Sequence, residues 1–198
     1  MNVKEAEMPV VTVIGFTGRR GCGKDTAAAY LEERHGFRML DFTRDVLAPE
    51  LVRDRVPVTR ENLIRLAMDG RKKANDGIWA EKLADIIGRG GPGSFVISGI
   101  RFRDEARVFR ERFGPGFSLV AILCPDQQRY ERVIRRGTKG EGSLSFAEFM
   151  AVEERPTEMA IGMAMEDADF LIDNGGTRGE LQSALDRLVK VIKATPDK

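Results

Sequence analysis

Between Gly18 and Thr26 the chain reads GRRGCGKDT, with glycines at Gly18, Gly21 and Gly23 leading into a lone lysine, Lys24. Glycine lets consecutive backbone N–H groups turn inward around the oxygens of an anion, and a lysine closing the loop brings positive charge to the same point. The spacing G-x-x-x-x-G-K is that of a phosphate-binding loop, with Arg19, Arg20, Gly21 and Cys22 between its defining glycines. Lys24 is the group to neutralise charge on a transferred phosphoryl. The pattern then departs from the usual one: Asp25 stands where a serine or threonine is ordinarily found, and Thr26 follows.

Arginines form the second set of chemical residues. A guanidinium binds two phosphate oxygens at once and stays charged, so Arg44 and Arg101 are candidates to hold an acceptor's anion, although a solvated surface role is the ordinary fate of an arginine. Arg101 with Glu105 also reads as a local helix ion pair. Along QQRYERVIRRG, a helix turning 100° per residue places Arg129, Arg132, Arg135 and Arg136 on one face, with Tyr130 and Ile134 opposite. A glycine-rich link from Gly137 to Gly142 follows, which reads as a hinge. Glu153 and Glu154 either orient these arginines or lie on the surface, and Arg155 is a further candidate for a phosphate. Asp41 suits a general base toward a hydroxyl acceptor; an acceptor that is itself a phosphate needs mainly positioning and charge neutralisation.

The elements that carry these residues follow from the apolar pattern. Short apolar runs recur at VVTVIGF, FRMLDF, SFVISGI, FSLVAILC and ADFLID, separated by helix-period segments. Runs apolar at nearly every position suit strands buried on both faces of a parallel sheet. Phe102, Ala106, Phe109 and Phe113 share one helical stripe, and a Thr177/Glu180 capping box opens a last helix carrying Leu181, Leu185, Leu188 and Ile192. Residues 59–88 read as two further helices, beginning at Thr59 and breaking near Gly70 or Gly77. Ligands of an open parallel sheet gather beyond the carboxyl ends of its strands, where Asp41, Arg101, Asp173 and Asn174 stand.

Composition sets bounds. The 198 residues carry 32 basic and 31 acidic side chains, so no global field recruits nucleic acid or an anionic membrane. The apolar runs are strand-sized, far short of the roughly 20 residues that span a bilayer. Cys22 and Cys124, in neither a metal nor a redox spacing, favour a reducing cytoplasm, Cys22 as loop filler and Cys124 closing a strand. His35 before Gly36 reads as a helix C-terminal cation or cap, and Met159, Met163 and Met165 as packing.

These residues carry a resemblance. GFTGRRGCGKDTAAAYL resembles the loop of bacteriophage-type deoxynucleoside monophosphate kinases, which share the G-K-D-T ending, and more broadly that of dephospho-CoA kinases. From FVISGIRFRDEARVFRERFG onward the chain is similar to an archaeal family of adenylate-kinase-like nucleotide kinases. The shared features are G-I-R-x-x-x-E, R-x-x-R-x-x-R-R-G, F-x-x-x-E-E-R and A-D-x-x-I-x-N-G-x-T. The resemblance covers most of the chain and is weakest between about residues 45 and 90.

It implies one three-layer α/β P-loop NTPase domain over residues 1–198, nucleoside monophosphate kinase-like, with a mostly parallel sheet of about five strands. Residues 45–90 would form a helical acceptor-binding region and residues 128–158 a lid, with Arg132 and Arg136 closing over the phosphates. Arg71 joins Arg44 and Arg101 on the acceptor side, and Trp79 reads as core or as a platform for a base. Asn174 and Gly175 resemble the loop beside the nucleotide base. The implied cofactors are ATP and Mg²⁺. Such kinases usually add an acidic residue near the end of the third strand, where this chain has Ser98 and Gly99. The expectation is therefore that Asp25 supplies the metal's carboxylate while Thr26 contacts a phosphate.

The activity implied is transfer of the ATP γ-phosphoryl group to a small nucleotide acceptor, first a (deoxy)nucleoside monophosphate and alternatively the ribose hydroxyl of dephospho-CoA with Asp41 as base. A nucleotide-dependent switch or weak NTPase is the reading of another class. The expected setting is the cytoplasm, without nucleic-acid or membrane partners, as a monomer or homodimer.

Overall fold

The computed structural model describes residues 11–137 and 142–194. Each of the five apolar runs forms a strand: β1 (Val11–Thr17), β2 (Arg38–Asp41), β3 (Gly93–Ile100), β4 (Phe117–Leu123) and β5 (Phe170–Asp173). They make one all-parallel sheet in the order β2-β3-β1-β4-β5. The central strand β1 therefore delivers its loop to the middle of the carboxyl edge. Val11 to Phe16 pair in step with Gly93 to Ser98, then the register shifts so that Thr17 faces Ile100.

Between the strands lie α1 (Lys24–His35), α2 (Ala48–Arg53), α3 (Arg60–Lys73), α4 (Ile78–Arg89), α5 (Arg103–Phe113), α6 (Asp126–Arg136), α7 (Phe146–Glu153), α8 (Pro156–Glu166) and α9 (Arg178–Ala194). Side chains of successive strand residues point to opposite faces, and two cores result. Ile14, Phe16, Val96, Val120 and Ile122 pack under α1 and α9, whereas Val13, Phe95, Ile97 and Leu119 pack under α4 and α5. The alternation predicts this parallel sheet covered by helices, and the arrangement is the three-layer α/β P-loop fold that the resemblance implies.

Local signals set the helix ends. Gly36 closes α1 in the left-handed conformation, the Thr59 hydroxyl accepts the Asn62 N–H at the start of α3, and Glu180 caps α9 through the Thr177 N–H at 2.6 Å. The break after α3 falls between Lys73 and Ile78, so Gly77 rather than Gly70 marks it. A wide turn over Thr43–Leu47 running into α2 was not legible in the pattern. His35, a basic residue in the last turn of α1, turns its ring to α9: its Nε2 lies 2.7 Å from Asp186 Oδ1, which also accepts the Tyr30 hydroxyl at 3.0 Å. His35, then Tyr30, hold the Asp186 carboxyl below its ordinary pKa.

Candidate active site

The loop after β1 is shaped by its glycines. Gly21 and Gly23 have φ of +80° and +102°, a region that residues with a Cβ rarely adopt. A Cβ on Gly21 would stand 2.6 Å from the Arg129 carbonyl oxygen, and one on Gly23 would run into Asn174 Nδ2. Gly23 leads into α1, whose first N–H groups and positive dipole end face the loop's hollow. Lys24 folds back over the loop, its Nζ donating to the Gly18 carbonyl at 2.6 Å and to that of Arg19 at 3.3 Å. A cradle of backbone donors under one ammonium fits a polyphosphate.

Asp25 lies exposed in the first turn of α1, where a helix N-terminus favours negative charge. The Ser98 hydroxyl, buried at the end of β3, donates to its Oδ1 at 2.5 Å. Thr26 is exposed beside it. These are hard oxygen donors, the kind Mg²⁺ takes, and Mg²⁺ is ordinarily held by one or two carboxylates together with substrate phosphates. Among the described residues no group of three or more His, Cys, Asp or Glu side chains is placed to hold a metal on its own. The donor set therefore fits a metal that arrives with phosphates.

Arg19 and Arg20 turn their side chains away from the hollow toward α7. Arg19 pairs with Glu153 at 2.9 Å, and the Arg20 guanidinium stacks over Phe149 at 4.7 Å. Glu153, with only 4% of its side chain exposed, also holds Arg129 at 3.0 Å. Arg129 donates to the Arg20 carbonyl at 2.9 Å and pairs with Asp126 at 2.7 Å. Burial alone would lower the Arg129 pKa; Glu153 and Asp126 outweigh it and raise it. The four arginines read as one basic face are thus divided, because Arg129 is 2% exposed and spent on ion pairs. Arg132 is half-buried, donating to the Asn174 carbonyl at 2.9 Å and to Cys124 Sγ at 3.2 Å, whereas Arg135 and Arg136 lie exposed in the last turn of α6. Most of the hinge expected from Gly137 to Gly142, residues 138–141, lies outside the described residues.

Asn174 is buried just past β5, and its amide donates to the Cys22 carbonyl at 2.8 Å while its own N–H binds Leu123 O at 2.8 Å. It buttresses the loop from beneath, a role the N-G motif did not announce. Gly175 continues the turn, its N–H on Asp173 and its carbonyl on Gln128. Asn174→Ala leaves the Cys22 carbonyl without its buried partner, which costs about 1–3 kcal/mol. The expected result is a lower Tm together with weaker ATP binding; unchanged ATP affinity would mean the loop holds its shape alone.

On the other side of β1, Asp41 uses Oδ1 to accept the N–H groups of Thr43 at 2.8 Å and Arg44 at 2.9 Å, capping the wide turn. Its Oδ2 has no protein donor among the described residues. Arg44 is tied to Asp45 at 2.9 Å and to the Met39 carbonyl at 2.5 Å. Glu105 is 1% exposed and takes Arg71 at 3.0 Å on one oxygen and the Arg101 N–H at 2.8 Å on the other. Burial pushes its carboxyl pKa up, against the Arg101 N–H and Arg71. Glu105 therefore pairs with Arg71, not with the Arg101 guanidinium as a local helix pair would. That guanidinium stands exposed at the strand end with no protein partner among the described residues. Trp79 is core: 4% exposed, it donates Nε1 to the Ala67 carbonyl at 3.0 Å and presses on Gly70, leaving no face for a base. Met159 and Met163, read as packing, are 58% and 48% exposed. No helix among the described residues is long and apolar enough to cross a membrane.

Comparison with known proteins agrees with this architecture. The shikimate kinase of Bacteroides thetaiotaomicron superposes with a TM-score of 0.61 at 15% identity, over 92% of this chain and 98% of that one. The APS kinase of Mycobacterium tuberculosis does so with 0.54 at 17% identity, over 94% and 99%. At these identities the likeness shows the fold, that of the P-loop kinases. A UPF0200 protein of Methanothermobacter thermautotrophicus is 30% identical over 166 residues, 84% of this chain and 83% of that protein. Residues 14–151 match the family described as an AAA domain, and the chain belongs to that family; by its likeness to the Methanothermobacter protein it belongs to the UPF0200 proteins as well.

Proposed function

We propose that the protein is a Mg²⁺-ATP-dependent phosphotransferase whose acceptor is a small nucleotide, foremost a (deoxy)nucleoside monophosphate. The observation that carries this reading is the pairing of two positive groups at the sheet's carboxyl edge. Lys24 lies over a glycine cradle at a helix N-terminus, and the Arg101 guanidinium is unspent at the end of the neighbouring strand. Lys24 would neutralise charge on the γ-phosphoryl group, while Arg101, with Arg71 half-buried behind it, would draw the acceptor's phosphate into line. Arg44, now bound to Asp45, and the exposed Arg136 would add charge when α6 and α7 act as a lid. Asp25 would hold Mg²⁺ beside the loop, where the metal would supply positive charge to offset that of the phosphates.

A hydroxyl acceptor such as dephospho-CoA is the second reading, favoured by the unengaged Oδ2 of Asp41. The test is ATP consumption with each nucleoside and deoxynucleoside monophosphate and with dephospho-CoA. Stimulation by a monophosphate is expected, with Asp41→Asn costing little because an amide oxygen still caps the turn. Stimulation by dephospho-CoA alone, with Asp41→Asn lowering kcat by about 10²–10⁴, would establish the hydroxyl reading instead. Bound ATP with no acceptor response would replace both by a nucleotide-dependent switch.

A further inference from the structure

P-loop NTPases ordinarily hold their metal with a hydroxyl from the residue after the loop lysine and a carboxylate from the end of a neighbouring strand. In this chain the first position is Asp25 and the second is Ser98, and the two side chains are hydrogen-bonded at 2.5 Å. The inventory, one hydroxyl and one carboxylate in direct contact, is kept, while the two addresses are exchanged.

We infer that Asp25 and Ser98 form a reciprocally exchanged metal-holding pair, in which Asp25 carries the charge toward Mg²⁺ and Ser98 is the positioning residue that orients it. Three features of the structure support the division of roles. Ser98 is 4% exposed and spends its proton on Asp25 Oδ1, so it acts through Asp25. Asp25 is exposed, and its Oδ2 has no protein donor among the described residues, which leaves that oxygen for a cation. Ser98 is also the last residue of β3 in step with β1; beyond it, Gly99 takes φ +95° and the register shifts. The hydroxyl is thus held by the sheet while the carboxylate rides on the helix that begins at the phosphate cradle. A single negative charge near the cation is retained, so the electrostatics of the ordinary arrangement survive the exchange.

This rests on reading Gly18 to Thr26 as a nucleotide loop, and the test separates the two. ATP affinity is measured by calorimetry in EDTA and again with saturating Mn²⁺, and the ratio of the two affinities is the metal-dependent gain, a quantity that needs no turnover. For the wild type a clear gain is expected. Asp25→Ser is expected to remove most of it, Ser98→Ala to lower it about tenfold, as loss of a group orienting a metal ligand does, and Asp25→Ser/Ser98→Asp to bring it back near the wild-type ratio. Asp25→Ser also removes a negative charge beside the phosphates and so should tighten binding in EDTA; the ratio divides each variant's metal-loaded affinity by its own metal-free affinity, which takes that change out. The inference is overturned if Asp25→Ser keeps the full gain, or if the double exchange, folded by its thermal melt, is no better than Asp25→Ser. Should the double exchange not fold, Ser98→Ala decides: an undiminished gain overturns the pairing and a diminished one supports it. No ATP binding by the wild type in EDTA or Mn²⁺ would remove the nucleotide loop and this inference together, whereas ATP binding with no metal-dependent gain would remove this inference alone.

Discussion

Lys24→Ala is expected to lower kcat for ATP-dependent phosphoryl transfer by about 10²–10³, the usual loss when one preorganised donor to developing charge is removed. The reasoning is geometric. Lys24 Nζ is held over the loop by the Gly18 and Arg19 carbonyls, so its charge is already in the cradle and needs little reorganisation to follow a phosphoryl group. No other lysine lies in the loop, and Arg19 and Arg20 have turned toward Glu153 and Phe149. The methyl group of alanine leaves α1 its helix propensity, so thermal stability should stay within about 1 kcal/mol of the wild type. Lys24→Arg should recover only part of the rate, because a planar fork does not replace a compact ammonium among carbonyls. Following ADP release in a coupled assay checks this, and wild-type turnover by Lys24→Ala would remove phosphoryl transfer from this loop.

Glu153→Ala should be strongly destabilising, by about 3 kcal/mol, the low end of the cost of removing one partner from a buried ion pair because Asp126 still faces Arg129. Glu153 is the shared anion of Arg19 and Arg129, and without it Arg129, 2% exposed, keeps only Asp126, itself 53% exposed, as a counter-ion. The Arg19 half contributes less, since Arg19 is 37% exposed and solvent screens it. For a chain of this length the loss corresponds to a fall of roughly 10 °C in Tm. A paired change, Glu153→Leu with Arg129→Met, should recover most of it, because an apolar pair of similar volume has no charge to leave behind. Denaturant midpoints for the single and double variants settle the matter. If Glu153→Ala is as stable as the wild type, the buried pairing is not what joins α7 to the loop.

What was legible in the sequence was what short stretches determine by themselves. β1, β3 and β4 announced themselves because strands covered on both faces must be apolar at nearly every position, the edge strands β2 and β5 as short apolar runs between turn residues, and Gly18 to Lys24 because a phosphate loop is a local object. Partner choice was not legible. The spacing of Arg129, Arg132, Arg135 and Arg136 reported a helix face truthfully, yet a helix wheel contains nothing about Glu153, 24 residues from Arg129 and 134 from Arg19. That Asp41 caps the next turn with one oxygen was not legible, because a carboxylate at a strand end looks the same in the sequence whether it meets a substrate, caps a turn or does both. Trp79 was read two ways for a similar reason: its burial depends on Gly70 and Ala67 across a helix pair, which only the fold brings together. The missing carboxylate at Ser98 was visible as a gap, but its hydrogen bond to Asp25 was not.

The helix α3 has no buried residue, and its Ile64 and Met68 are about half exposed. It is held chiefly by Arg71 on Glu105, by the Trp79 N–H on Ala67 and by the partial burial of Leu63, Leu66 and Ala67. The phosphate cradle, by contrast, stands on strands and helices with the deepest burial in the molecule. If the protein is the phosphotransferase proposed above, with residues 45–90 meeting the acceptor, stability and acceptor preference would be carried by different parts of the chain. Substitutions along α3 would then cost little stability, and on that reading such a scaffold would adapt to a new acceptor without rebuilding the phosphate cradle.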